Sequence, residues 1–273
     1  MDVLSEFFAL PHTGGRGICR LPALALDDGR MRAVQARCPG AASVVVVLFP
    51  YLVRDAGNLS LYARGRDYHG VLLRALEPAC AALRRAFPQN RFVPLADDSP
   101  LPEVRAAWES GAGLLGQNGL IFDRVYGSFV FIGTVLTDLA LPPTPSAHAR
   151  CPGCGACARA CPGDALADGR VDEQRCLSAL TQSKQPMTEA QLRQLARHPL
   201  VWGCDTCAAV CPLNRAAAET TNPAFREDRI ASLALEDVEG RTRRQFCAAF
   251  PDRAFTWRGP APLARNLALR RQP

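Results

Sequence analysis

Lysine is almost absent: Lys184 is the one lysine among the 32 basic residues of this 273-residue chain. The net charge of +6 therefore rests on arginine, whose planar fork suits phosphate and carboxylate groups. That balance permits a nucleic-acid partner without requiring one, and a high-GC genome produces the same bias with no functional meaning. Long apolar runs are missing as well. The longest, Ser43 to Val53, is broken by Pro50 and falls far short of the roughly 20 residues that span a bilayer, so it reads as a buried strand and no membrane association is expected. The first residues, MDVLSEFFALPHTGGRG, carry no basic n-region, no long apolar h-region and no twin arginine. They do not read as an export signal, and a cytoplasmic location is expected. There is no internal repeat, and no low-complexity segment beyond a proline-rich linker at Leu141 to Ser146.

With 48% hydrophobic and 21% charged residues, the chain has the composition of a soluble globular protein with one large or two modest domains. In a reducing compartment its twelve cysteines point to metal ligands or free thiols rather than disulfides. Eight of the twelve fall between positions 151 and 211. Cys151, Cys154, Cys157 and Cys161, followed by Pro162, reproduce the C-x2-C-x2-C-x3-C-P run of bacterial ferredoxins, in which the fourth cysteine serves the other cluster. The second run, Cys204, Cys207 and Cys211 with Pro212, is one cysteine short, and Cys176 can supply it. The C-x2-C turns wrap successive thiolates around one cube, while the x3 step aims the next one away. The spacing thus predicts one [4Fe–4S] cluster on Cys151, Cys154, Cys157 and Cys211, and a second on Cys161, Cys176, Cys204 and Cys207. A pair of structural zinc sites is the alternative, but zinc takes two C-x2-C pairs per ion and has no need of the C-P endings. Cys19, Cys38, Cys80 and Cys247 stand alone in apolar surroundings and read as buried free thiols.

Upstream of the cysteines, helical and strand-like patterns alternate, which suggests an α/β sandwich. Ala42 to Phe49 is a β-branched run suited to a central strand, Arg64 to Phe87 reads as one long helix, and Arg91 to Leu95 as a second strand. Leu101 to Ser110 is expected to form a helix ending at Gly111, and Ser128 to Leu136 alternates like a strand with one buried face. After the cysteines, a helix is expected over Glu239 to Phe250 and a short one near Leu263 to Leu269, with the final RRQP as a frayed end.

Several separate segments match the motifs of one family. Tyr62-Ala-Arg-Gly-Arg-Asp-Tyr-His69 is similar to the family's Y-A-x-G-R-D-Y-H stretch. Asp97-Asp-Ser-Pro100 and Gly111-Ala-Gly-Leu-Leu-Gly-Gln-Asn118 resemble its D-[ST]-x-P and A-G-L-G-W-I-G-K-N elements. Gly127-Ser-Phe leads into Leu136-Thr-Asp138 like its G-S-[WF] strand, and Gly203-Cys-Asp-x-Cys-x-x-Val-Cys-Pro-x-Asn214 matches its second cysteine run. Together these segments resemble the epoxyqueuosine reductase family of cobalamin and iron–sulfur enzymes, and the similarity covers roughly residues 40 to 270.

The resemblance implies an α+β fold. Residues 1–147 would form an α/β, nitroreductase-like domain for cobalamin and substrate, 148–216 the ferredoxin-like double [4Fe–4S] module, and 217–273 a C-terminal helical extension. It further implies reduction of epoxyqueuosine to queuosine in tRNA, with the clusters passing electrons to a base-off cobalamin. A ferredoxin- or flavodoxin-type donor would supply the electrons, and a monomer is expected. Losing an epoxide oxygen as water needs a proton donor, and a carboxyl with a raised pKa in a dry pocket can serve. The family's aspartate aligns on Asp97, with Asp98 second choice; an aspartate before Ser-Pro-Leu-Pro is also a natural N-cap. By the same resemblance Tyr62, Asp67, Tyr68, His69, Gln117, Asn118, Gly127, Ser128 and Ser178 are candidate cofactor contacts. The glycines Gly116 and Gly127 would allow close backbone approach to a planar ligand.

Three departures stand out. Gly116-Gln117-Asn118-Gly119 replaces G-K-N-T, removing a positive charge. The N-terminal region lacks the family's G-Y-x-G-x-M-x-Y segment. The sequence stops soon after Arg265-Asn266, where typical members continue into helical repeats that help hold tRNA, so a compact variant is expected. Two other functions fit the cofactor pattern: a reductive dehalogenase relative, and a two-cluster electron carrier without cobalamin.

Overall fold

The structure, a computed structural model, describes residues 3–167 and 169–270. The N-terminal half is built on strands β1 (Arg16–Arg20), β2 (Ser43–Pro50), β3 (Phe92–Ala96) and β6 (Val130–Thr137), with β4 (Leu114–Leu115) and β5 (Ile121–Phe122) paired as a separate small hairpin. The four long strands form one sheet in the order β1-β2-β6-β3, antiparallel throughout. Every residue of β2 is buried, so its apolar run shows no alternation. Both faces are covered. Val45, Val47 and Phe49 pack with Leu72, Leu76, Cys80 and Leu83 of helix α3 (Tyr68–Ala86), which follows α1 (Val3–Phe8) and α2 (Asp28–Arg37) in the chain. Val44, Val46 and Leu48 pack on the opposite face with Val34 of α2 and with Ala106 and Ala107 of α4 (Glu103–Glu109). Each such side chain taken fully from water contributes about 1.5–3 kcal/mol, so this central strand anchors the cores on both faces of the sheet.

The expected long helix begins at Tyr68, four residues late. Arg64 is 3% exposed and gives its guanidinium to the carbonyls of Leu59 and Asp55 and to the Asp55 carboxylate at 2.6 Å. That commitment holds the preceding chain in a 3-10 turn over Leu61–Ala63, and Asp67 then caps α3 by accepting from His69 N–H. The other expected elements appear with ends shifted by a few residues. Several were not anticipated, among them α1, β1, the β4–β5 hairpin and α2, whose only buried residue is Val34. The proline-rich linker is pinned rather than loose, because Leu141 N–H donates to Ser43 Oγ and Thr144 N–H to the carbonyl of Ile18.

The cysteine region carries α5 (Ala156–Ala160), α6 (Leu177–Gln182), α7 (Glu189–Arg197) and α8 (Thr206–Ala209), followed by α9 (Pro223–Arg226), α10 (Arg243–Ala249) and α11 (Ala261–Ala268). The three stretches of chain interlock. Leu59, Trp202 and Phe246 share one apolar core, Phe225 fills the core beneath α3, and Asn266 Nδ2 donates to the carbonyls of Thr181 and Val201, both at 2.8 Å. Among the described residues no helix is long and apolar enough to cross a membrane. Of the expected frayed end RRQP, Arg270 is instead held, its N–H donating to the carbonyl of Leu267 and its guanidinium to that of His198, and the last three residues lie outside the described residues.

Candidate active site and cluster centres

Helix α3 and strand β3 run antiparallel against each other, so the start of α3 lies beside the end of β3. This brings Tyr68 and His69 to Asp97. Tyr68 Oη donates to Asp97 Oδ2, and His69 Nε2 lies 3.1 Å from the same oxygen. The other ring nitrogen, His69 Nδ1, lies 2.6 Å from Asp67 Oδ1. Tyr68 is held in turn by stacking on Phe131 at 4.3 Å between ring centroids. Asp97 sits in the left-handed region at φ 59°, a sparsely used conformation for a residue with a side chain, and its N–H donates to Glu103 Oε1 at 3.1 Å.

The electrostatics of this cluster differ from the raised aspartate the sequence suggests. The hydrogen bond with His69 holds the Asp97 carboxyl below the ordinary range; burial opposes that, and Tyr68 reinforces it. His69 is raised to about 9, first by its bond to Asp67 and then by Asp97. Burial works to raise Asp67, but hydrogen bonding to His69 outweighs it. The group that holds a proton near neutrality is Glu103, pushed up to about 7 by burial and then by the charge of Asp97. The sequence offered no motif that singles it out. Asp98 points elsewhere: its side chain is 94% exposed and pairs with Arg37 at 3.7 Å.

Asp97, Glu103, Tyr62, Tyr68 and Ser128 line an open cavity of about 840 Å³ whose apolar walls include Tyr51, Leu120 and Phe131. A second cavity, of about 240 Å³, shares Tyr51, Tyr62 and Leu120 with it and is ringed by Cys161, Cys176, Cys204 and Cys207, with Ser178 alongside. A third, of about 210 Å³, is ringed by Cys151, Cys154, Cys157 and Cys211 and meets the second at Asn118. The three cavities thus form a row with shared walls. Among the described residues no three His, Cys, Asp or Glu side chains converge as on a single metal ion. The cysteines instead stand in two rings of four, the donor set a cube with an iron at each ligated corner needs. The large cavity has aromatic and aliphatic surfaces on which a planar macrocycle could lie, from Tyr51, Tyr62, Leu120 and Phe131, with the charged Arg30, Asp97, Glu103, Arg105 and Glu173 also on its wall, and the nearby imidazole of His69 is engaged at both nitrogens.

Two clamps join the rings to the N-terminal half, one at the turn before α3 and one at the sheet. Asp205, between Cys204 and Cys207, accepts from Ser60 Oγ at 2.5 Å and from Leu61 N–H at 2.9 Å. Asn214, three residues past Cys211, grips Ser128 at the entry to β6. Gly127 is required by this second clamp, since a Cβ there would lie 2.2 Å from Asn214 Oδ1; its close approach is to Asn214 rather than to a ligand. A Cβ on Gly116 would similarly meet Asn118 and Phe122. Gln117 borders the third cavity and is not part of the large one. Cys19, Cys38 and Cys80 are buried free thiols, as expected, and burial pushes Cys19 and Cys80 up to about 12. Cys247 is only half-buried on α10, beside the fully buried Phe246.

Residues 150–214 match the family profile described as 4Fe-4S double cluster binding domain, and residues 32–97 the one described as Epoxyqueuosine reductase QueG, DUF1730. The chain is 31% identical to the epoxyqueuosine reductase of Listeria monocytogenes over 84% of its own length and 62% of that relative. It is likewise 31% identical to the Lactococcus garvieae epoxyqueuosine reductase over 77% of its length and 60% of the relative. It therefore spans about three fifths of these curated relatives. A crystal structure of epoxyqueuosine reductase with an epoxyqueuosine-modified tRNA-Tyr stem loop superposes with a TM-score of 0.81, covering 98% of this chain and 80% of that one. At 23% identity, that last likeness is one of fold.

Proposed function

Because the chain belongs to the epoxyqueuosine reductase family, we propose that it reduces an epoxide to an alkene on a nucleoside of tRNA, using its two [4Fe–4S] clusters and a cobalamin. The row of three cavities ending at Asp97 is the observation that carries this reading. Cys151, Cys154, Cys157 and Cys211 would hold one cluster, and Cys161, Cys176, Cys204 and Cys207 the other. Tyr51, Tyr62, Phe131 and Ser128 would border the cobalamin, and Asp97 lines the same cavity. When bound, the clusters relay single electrons and the reduced cobalt supplies a strong nucleophile or reductant.

The reaction takes up two electrons and two protons, breaks both epoxide C–O bonds and releases water, so proton supply is the task of the protein. His69, charged through neutral pH and oriented by Asp67, keeps a proton on the hydrogen bond to Asp97 Oδ2. As charge grows on the epoxide oxygen, Asp97 passes that proton on, and the Tyr68 hydroxyl steadies the carboxylate that remains. Glu103 holds the Asp97 backbone and carries a second proton into the same cavity near neutrality. The closed bonding of His69 leaves its ring to proton transfer rather than to metal ligation. A relative's structure with a modified stem loop supports RNA as the substrate class, and a small iron–sulfur or flavin protein is the fitting electron donor.

The test is anaerobic turnover. Reconstituted protein with cobalamin and a low-potential reductant is given an epoxyqueuosine-containing RNA stem loop, and the digested nucleosides are weighed. A product lighter by one oxygen is expected; unchanged nucleoside from fully loaded protein would overturn the proposal.

A further inference from the structure

Gln117 and Asn118 are neighbours on the turn between β4 and β5, and they border different rings of cysteines. Backbone bonds fix the turn: Cys151 N–H donates to the carbonyl of Leu115, and Gln117 N–H donates to Cys151 Sγ at 3.2 Å. The side chain of Gln117 lines the cavity ringed by Cys151, Cys154, Cys157 and Cys211, where its Oε1 is buried without a hydrogen-bond partner. A buried acceptor left unpaired costs about 1–3 kcal/mol. Turning the amide end for end removes that cost once sulfur acceptors fill the cavity, because it presents N–H groups to them instead.

Asn118 is 5% exposed and forms part of the wall between the two cysteine cavities. Its Oδ1 accepts from Leu120 N–H at 3.3 Å, which directs Nδ2 the other way. Nδ2 is buried, reaches toward Cys207 and falls short of hydrogen-bond geometry to any atom. Two adjacent amides therefore have unspent hydrogen-bonding capacity, each facing one four-cysteine ring.

We propose that Gln117 and Asn118 set the reduction potentials of the two clusters as uncharged hydrogen-bond donors. Gln117 acts on the cluster of Cys151, Cys154, Cys157 and Cys211, and Asn118 on that of Cys161, Cys176, Cys204 and Cys207. A donor to sulfur stabilises the reduced, more negative cluster and raises its potential, while a neutral amide raises it less than an ammonium group would. Gln117 thus leaves its cluster a stronger reductant than a lysine at the same position. The proposal rests on the ligand sets given above.

The experiment is an anaerobic redox titration, followed by electron paramagnetic resonance, on reconstituted protein without cobalamin. Gln117→Leu is expected to lower one midpoint and Gln117→Lys to raise that same midpoint, with the other unmoved. Asn118→Leu is expected to lower the second midpoint alone. Should Asn118→Leu fail to fold, the isosteric Asn118→Asp takes its place and must also lower the second midpoint. Both midpoints staying at wild-type values in the Gln117 variants, with iron content intact, would overturn the inference. Wild-type protein that takes up far fewer than about eight irons would instead overturn the ligand sets beneath it.

Discussion

Asn214 holds Ser128 at both ends of one side-chain amide: Oδ1 accepts from Ser128 N–H at 2.9 Å, and Nδ2 donates to Ser128 Oγ at 2.9 Å. A third bond, from Nδ2 to the carbonyl of Ala208, closes the grip. Through it the second cysteine run is fastened to the entry of β6, and the wall of the large cavity gains a fixed reference to the cysteine ring beside it.

Asn214→Ala leaves the buried N–H and hydroxyl of Ser128 without these partners. The expected cost is about 2 kcal/mol, or a fall of about 4–8 °C in the anaerobic melting temperature for a domain of this size. An unchanged melting temperature would show that the clamp contributes nothing to the union of sheet and cysteine module.

Asp97→Asn keeps the shape of the side chain but ends its capacity to pass on a proton. Iron content and cobalamin binding should match wild type, while kcat for deoxygenation falls by about 10²- to 10⁴-fold. Full turnover in this variant would move the proton donor elsewhere, with Glu103 the next group in the cavity.

His69 gives the site a pH signature. Its pKa is raised from 6.5 to about 9, so its stabilising contribution is complete below about 6.5 and is lost as pH rises through 9. Glu103 is also raised, from 4.5 to about 7, and its contribution disappears as pH rises through 7. Asp67 and Asp97 are lowered, so theirs are lost only on acidification below the usual carboxylate range. The difference in melting temperature between wild type and His69→Gln should therefore be largest near pH 6 and close by about pH 10. A gap independent of pH would mean that the ring is neutral and acts only by packing.

Cys176→Ala tests the pairing of thiolates. Loss of one ring should leave about four irons per chain, with the cluster of Cys151, Cys154, Cys157 and Cys211 intact. About eight irons would contradict the assignment.

The two groups of four cysteines were legible in the sequence because they depend on local spacing: the turns that carry Cys151, Cys154 and Cys157 are a few residues long, and Pro162 and Pro212 mark their ends. Strand β2 was legible because burial on both faces leaves an unbroken β-branched run. The start of α3 was not, because the ion pair of Arg64 with Asp55 decides it, and that pair forms through the fold of the preceding loop. The cavity walls were equally hidden. Tyr51, Phe131 and Glu103 come from three separate elements, and only the sheet order brings them together. Gln117 was expected among the cofactor contacts on motif alone, yet the bridge from Leu115 to Arg150 carries its turn to the cysteines.

Cobalamin binding is the point on which the proposed function turns. The direct measurement is an anaerobic titration of reconstituted protein with cob(II)alamin, followed by optical and electron paramagnetic resonance spectra. Stoichiometric binding with a base-off signal is predicted, and because His69 is held at both nitrogens no protein imidazole should replace the cofactor's own base. No binding, with both clusters in place, would contradict it and leave a two-cluster electron carrier.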